Sequence, residues 1–176
     1  LPDCQKFTPD LSICALDKGT QINKQILHQQ VTSAKLANKY NKPYDIYVVN
    51  FESLKELCDD LNYLNFECCI IDESSKLKNN KAQITKTFVQ ISDLFKYKYI
   101  LSGTPAPNNE LEYWGQIRFL SGLIFGTNFY KFRDDYFTRG GFMGHLYTFK
   151  DQMKQDFNEK IYTYGLRFRE EDCLDL

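Results

Sequence analysis

Two adjacent carboxylates, Asp72 and Glu73, are the residues of this sequence best suited to chemistry. They follow residues 66–71 (FECCII), an apolar run that predicts a buried strand. In open parallel sheets, ligands bind beyond the carboxyl ends of the strands. Nucleotide hydrolysis needs one carboxylate to hold Mg²⁺ and another group to orient or deprotonate the attacking water. Asp72 suits the first role and Glu73 the second, although such an acidic pair also occurs in solvated turns that begin helices.

A polar turn follows one helix and one strand later, in residues 101–109 (LSGTPAPNN). Ser102 and Thr104 supply short hydroxyls that can hydrogen-bond carboxylates or backbone. Gly103 permits a close backbone approach or a positive φ. If the two preceding strands are sheet neighbours, this turn lies beside the acidic pair and could pass the state of a nucleotide site to a nucleic-acid surface. The alternative is an ordinary loop rich in Gly and Pro.

The elements that must position these residues alternate between strands and helices. Strands are predicted at 11–16, 45–50, 66–71 and 97–101, and helices at 22–40, 54–61 and 81–94. This order predicts an α/β fold, with a mostly parallel sheet and helices on both of its faces. After Asn109 the pattern changes to helices at 111–119 and 150–162 around an aromatic, glycine-dotted stretch, which predicts a helical appendage.

Composition and charge limit the classes of protein and of partner. The 176 residues fit one compact domain, and the net charge of -1 gives no bulk attraction to nucleic acid. Any DNA contact would therefore need a local basic patch, for which the interleaved basic and aromatic residues at 130–142 are candidates; the same aromatics could instead pack inward. The six cysteines include no CxxC pair, so we do not expect zinc. We also expect no membrane partner, because no apolar run approaches about 18 residues.

Taken in order, these motifs resemble the Swi/Snf family of superfamily-two, helicase-like DNA translocases. The similar segments are 7–16 (following motif Ia), 44–54, 70–79 (motif II), 99–108 (motif III), 111–120 and 166–176 (entering a linker). The resemblance implies that residues 1–109 form part of a RecA-like helicase ATP-binding lobe of the P-loop NTPase class. Residues 110–176 would then form a helical protrusion and the start of the linker to a second lobe.

The same resemblance implies ATP and Mg²⁺ as cofactors and a role for each matched position. Asp72 would hold Mg²⁺, and Glu73 would polarise the water that attacks ATP. The motif III residues would couple hydrolysis to the grip on DNA: Ser102, Gly103 and Thr104. Lys78 and Asn79 match the family's Lys-Asn pair and would belong to the same set of coupling and DNA-contacting residues, with a solvated basic helix start as the alternative. The partners implied are the DNA backbone, contacted without regard to sequence, and the second RecA-like lobe.

The sequence departs from the family pattern in two places, and each departure leads to an expectation. Ser74 and Ser75 stand where the family usually has Ala-His, and this form resembles phage-like and bacterial members. We therefore expect a protein of the cytoplasm of a bacterial or phage-infected cell. No GxxxxGK[ST] loop occurs in the sequence, and that loop normally supplies most nucleotide affinity. The chain by itself is thus expected to bind ATP poorly and to hydrolyse almost none.

Two other functions stay open from the residues alone. A metal-dependent nuclease would use the acidic pair with further acids, but the other strand ends offer only Asp17, Asn50 and Ser102, a sparse set for two metals. A catalytically silent DNA-binding or scaffold module is favoured by the missing phosphate loop. A GxGKT-like loop about 40 to 60 residues upstream would instead favour the motor.

Overall fold

The computed structural model describes residue 6 and residues 8–36, 44–141 and 146–168 of the chain. The first residue of the 7–16 segment, the predicted end of the first helix and most of the 166–176 segment lie outside the described residues. No helix within the described ranges is both long and apolar enough to cross a membrane.

Strands and helices alternate through the first two thirds of the chain, which confirms the α/β prediction. The strands are β1 (Ile13–Leu16), β2 (Ile46–Val49), β3 (Cys68–Ile71), β4 (Tyr97–Ile100), β5 (Phe137–Gly140) and β6 (Leu146–Phe149). The α-helices are α1 (Thr20–Leu36), α2 (Phe51–Tyr63), α3 (Gln83–Ile91), α4 (Tyr113–Leu120), α5 (Phe129–Tyr136) and α6 (Lys154–Tyr164). Helix starts follow local capping chemistry: the side chain of Asn50 accepts a 2.9 Å hydrogen bond from the amide of Ser53 at the start of α2.

The parallel strands form two pairs rather than the single sheet expected. β1 pairs with β2 in parallel, and β3 pairs with β4 in parallel with Ile71 opposite Ile100. Within the described residues the pairs are not hydrogen-bonded to each other, because no described strand bridges them. Each pair nevertheless has the side-by-side strands that a site at the carboxyl edge needs.

Helices bury one face of each parallel pair. Over β1 and β2, helices α1 and α2 enclose Leu16, Leu27 and Leu57, all fully buried. Over β3 and β4, the core is formed by Leu54, Ile71, Leu77, Phe88, Ile91 and Phe119. The opposite face of the β3–β4 pair is exposed, with Ile70 63% accessible and its register partner Tyr99 55% accessible. The prediction of helices on both faces is therefore wrong for the described part of the chain.

The appendage contains a β-hairpin as well as helices. β5 and β6 pair antiparallel, with Phe137 opposite Phe149, an arrangement that the glycine-dotted sequence did not predict.

Helices α5 and α6 are joined by a polar cluster in which the hydroxyl of Tyr136 donates to the Asp156 carboxylate. Lys160 Nζ donates to both groups at 2.8 Å, and its hydrogen bond holds the pKa of Asp156 below its usual range.

Most aromatic side chains of this appendage pack inward, so the inward alternative describes them better than a stacking surface for bases. Phe132, Tyr136 and Phe137 are buried in one cluster with Trp114 and Phe157. The guanidinium of Arg133 is also engaged, because it forms a 2.7 Å ion pair with Asp134 and lies over the ring of Tyr147.

Two adjacent cysteines on β3 lie on opposite faces of the sheet, so we expect them to differ in reactivity. Cys68 is exposed, whereas burial raises the pKa of Cys69 to about 12. At pH 8 the half-buried Cys69 thiol should therefore stay protonated, and iodoacetamide should modify the exposed Cys68 well before Cys69. Fragmentation mass spectrometry of the labelled chain measures this, with buried Cys14 as an internal control. Faster labelling of Cys69 than of Cys68 would contradict the strand register, since a one-residue slip exchanges the faces.

Candidate functional site

The hydrogen-bond ladder between β3 and β4 continues past the ends of both strands. The amide of Leu101 donates to the carbonyl of Ile71 at 2.8 Å, and the amide of Ser74 donates to the carbonyl of Leu101 at 2.8 Å. The chain segments that carry the acidic pair and the Ser-Gly-Thr turn therefore leave the same edge side by side. This is the neighbour relation that the predicted site required.

The acidic pair is exposed at this edge, where a ligand can reach it. Asp72 and Glu73 are both solvent-accessible, and one carboxyl oxygen of Asp72 accepts a 3.0 Å hydrogen bond from the amide of Glu73. Glu73 has φ 52° and ψ 51°, the left-handed conformation that costs a non-glycine residue about 1–3 kcal/mol. The backbone carbonyl of Glu73 accepts a 3.0 Å hydrogen bond from the amide of Lys76, and this bond begins the 3₁₀ turn Ser74–Leu77. The backbone thus reverses sharply between the two carboxylates and the buried Ser74.

The neighbouring turn is held by its own serine. Ser102 is half-buried, and its hydroxyl accepts a 3.2 Å hydrogen bond from the amide of Thr104. Gly103 is exposed, has no positive φ, and would place an added Cβ in open space. The positive φ suggested for Gly103 is therefore not found, while its position beside the acidic pair is as predicted.

Lys78 and Asn79 lie farther along the chain, after the 3₁₀ turn that follows the acidic pair. Both are exposed. The side-chain oxygen of Asn79 accepts a 2.9 Å hydrogen bond from the amide of Lys81. The backbone carbonyl of Asn79 accepts a second hydrogen bond, at 3.0 Å, from the amide of Ala82. Asn79 thus shapes the connection into α3, as Asn commonly does in turns.

A buried polar link beneath the edge was not predicted. The hydroxyl of Ser74, which is 1% exposed, donates to Oε1 of fully buried Gln116 at 2.8 Å. Nε2 of Gln116 donates to the carbonyls of Pro105 at 2.5 Å and Glu112 at 3.0 Å. The signal that could have revealed it is a polar residue at a core position of α4, one residue before Ile117 and two after Trp114.

A solved structure has a fold similar to that of this chain. The structure of the "Sulfolobus solfataricus SWI2/SNF2 ATPase core in complex with dsDNA" superposes with a TM-score of 0.62 at 20% sequence identity, covering 90% of this chain and 29% of that one. At this identity the likeness shows a shared fold, which agrees with the predicted RecA-like class.

Curated relatives share sequence with parts of the chain. Human TATA-binding protein-associated factor 172 is 34% identical over 86 residues, 49% of this chain and 4% of that protein. The ISWI chromatin-remodeling complex ATPase ISW2 of Saccharomyces cerevisiae is 26% identical over 125 residues, 70% of this chain and 10% of that protein. The chain thus spans a small part of the length of the relatives it matches.

These relatives correct the expected location. The similar proteins include those of human, fission yeast, Arabidopsis and budding yeast, named for association with TATA-binding protein or for chromatin remodeling. The prediction of a bacterial or phage-infected cytoplasm is therefore wrong. It relied on the two serines after the acidic pair, and two residues are too few to indicate an origin.

The resemblance that began with short motifs extends over most of the sequence. The family model described as "SNF2-related domain" matches residues 5–161, a range that includes the acidic pair, the Ser-Gly-Thr turn and the appendage through most of α6. The chain belongs to the SNF2-related domain family.

Proposed function

We propose that this chain is part of an ATP-dependent DNA translocase and supplies its acidic hydrolysis motif and the adjoining coupling turn. The observation that carries the proposal is the continued β3–β4 ladder, which brings two exposed carboxylates and a hydroxyl-bearing turn to one carboxyl edge. The proposal divides the chain into a partial ATP-binding lobe over residues 1–109 and a protrusion with the linker start over 110–176, next to a second RecA-like lobe. The aromatic cluster of the appendage supports this division, and α4 connects it to the β3–β4 core, where Phe119 is buried.

The residues of the acidic pair fit the cofactor that the family implies. The described residues contain no group of three or more His, Cys, Asp or Glu side chains that could hold a metal. Mg²⁺ in phosphoryl-transfer sites is usually held by one or two carboxylates together with water and substrate phosphates. Two exposed carboxylates fit that pattern, and bound Mg²⁺ would neutralise phosphate charge. Asp72 would hold the ion.

The other residues have roles that follow from their positions. Glu73 would orient and polarise the water that attacks ATP, accepting its proton as the bond from water oxygen to the γ-phosphorus forms and the bond to the leaving ADP oxygen breaks. Ser102, Gly103 and Thr104 would report the state of the nucleotide to the DNA-binding surface, since their turn leaves the sheet beside the acidic pair. Lys78 and Asn79 would shape the path of the chain from the acidic pair into α3.

Duplex DNA is the partner on which translocation would act. The solved structure of similar fold is a complex with double-stranded DNA, and phosphate contacts bind DNA without reading its sequence. With a net charge of -1, the chain must rely on local basic side chains, so binding should weaken steeply as salt is raised.

ATP hydrolysis by the intact polypeptide, measured with and without duplexes of unrelated sequence, tests the proposal. We expect every duplex to stimulate turnover to a similar extent, and the DNA concentration for half-stimulation to rise with salt. Absence of turnover, or turnover indifferent to DNA, would reject the translocase. Manganese-dependent cutting of DNA that Asp72→Ala abolishes would assign a nuclease instead.

A further inference from the structure

We propose that Gln116 is a positioning residue which, with Ser74, couples the acidic motif to the turn at 102–104. The proposal rests on the function proposed above and assigns the coupling to two named side chains. Gln116 touches no reacting group. It would act through the backbone on either side of the site.

The link begins directly after Glu73. Ser74 is fixed twice, by its amide on the carbonyl of Leu101 and by its hydroxyl on Gln116, both at 2.8 Å. A left-handed non-glycine conformation persists only where the surrounding structure holds it. Because Ser74 is the next residue along the chain, its two bonds hold the conformation of Glu73 and with it the direction of the carboxylate.

The link ends directly after Thr104. Nε2 of Gln116 donates to the carbonyl of Pro105 at 2.5 Å. A shift of the turn would therefore reach Ser74 through two hydrogen bonds of one rigid amide group. Gln116 is fully buried, so water cannot replace either bond without opening the core. Its third bond, to the carbonyl of Glu112 at 3.0 Å, anchors the amide on its own helix.

A purely structural role predicts different behaviour from a positioning role. If the pair only satisfies buried polar groups, removing both partners together should cost little stability beyond the donor that the Pro105 carbonyl loses, and activity should be unchanged. If the pair transmits position, removing both should recover part of the stability and leave the coupling defective. The double variant Ser74→Ala/Gln116→Leu separates the two roles, because it exchanges a buried polar pair for an apolar pair of similar volume.

The experiment compares the intact wild-type protein with Ser74→Ala, Gln116→Leu and the double variant. Melting temperature, and kcat and KM for ATP with and without duplex DNA, are measured for each. We expect both single variants to melt lower than the wild type, and the double variant to melt higher than Gln116→Leu, because the Ser74 hydroxyl is no longer left without its acceptor. In all three, DNA-stimulated kcat should fall by about 3- to 30-fold with KM for ATP little changed.

Ser92→Ala is the matched control. Ser92 is fully buried and donates a 2.8 Å hydrogen bond to the carbonyl of Val89, away from the site. Its loss should lower the melting temperature and leave the DNA stimulation intact. A double variant with wild-type DNA stimulation would overturn the proposal.

Amide hydrogen exchange keeps this inference separate from the proposed function. Gln116→Leu should speed exchange at the amides of Leu101 and Ser74 relative to Ser92→Ala, because the ladder between them loses its buried support. If the wild-type protein shows no ATP turnover, the proposed function fails. Amide exchange then remains as the test of whether Gln116 connects Ser74 to the turn. Unchanged exchange at these amides would then overturn it.

Discussion

Replacing Glu73 with glutamine in the intact protein is expected to lower DNA-stimulated ATP turnover by a factor of about 10²–10⁴. The amide keeps the size of the side chain but cannot accept a proton from the attacking water. The left-handed backbone at this residue should tolerate the change, since glutamine and glutamate have the same Cβ geometry. DNA binding should stay within about twofold, because phosphate contacts with basic side chains supply it. Steady-state ATPase and fluorescence anisotropy with labelled duplex measure the two effects.

Glu67→Gln is the matched control for this change. Glu67 is equally exposed and lies next to the opposite end of the same strand, where its carbonyl accepts a 2.8 Å hydrogen bond from the amide of Tyr97. Its replacement removes the same charge from the same strand pair and should leave turnover unchanged. Equal loss in both variants would attribute the effect to net charge, and unchanged turnover in Glu73→Gln would reject the catalytic role.

Replacing Gly115 with alanine should destabilise the fold by about 3 kcal/mol, the upper end of the range for overpacked cores. An added Cβ would lie 2.2 Å from the carbonyl oxygen of Leu77 and 2.8 Å from a methyl group of Thr85. The first of these atoms is backbone and cannot rotate away. Helix α4 would have to move off the 3₁₀ turn that carries Ser74, so activity should fall together with stability.

Thermal unfolding of the intact protein measures the cost of Gly115→Ala. Gly140→Ala is its control, because a Cβ there would meet nothing within 4 Å and the residue has no positive φ. We expect a large drop in melting temperature for the first variant and little change for the second. Similar melting of both variants would contradict the close approach of α4 to the 3₁₀ turn.

The parts of this molecule that the sequence predicted are those with local signals. The apolar runs before Asp72 and Ser102 indicated strands, and the polar residues after them indicated their carboxyl ends. That the two strands are sheet neighbours was a condition of the predicted site, and the register of β3 and β4 meets it. The roles assigned to the acidic pair and the turn remain predictions, since they concern reaction steps rather than positions.

The parts that escaped prediction depend on contacts between distant segments. Gln116 lies 42 positions from Ser74 in the sequence, and no local pattern around either residue indicates that their side chains are hydrogen-bonded. The left-handed backbone falls on Glu73, a residue type that does not signal it, and the next residue, Ser74, is hydrogen-bonded to the distant Leu101. The β5–β6 hairpin was missed for a local reason: its strands are short, and nearby glycines indicated a loop.

The uncovered face of the β3–β4 pair has a practical consequence for anyone who purifies this polypeptide. Ile70, Tyr97, Tyr99 and Leu101 are each 46% to 63% accessible, and β2 adds the exposed side chains of Ile46 and Val48. A net charge of -1 provides little mutual repulsion between molecules in solution. Samples of the 176-residue chain should therefore self-associate as they are concentrated, and mild detergent should be more effective than salt at keeping them monodisperse.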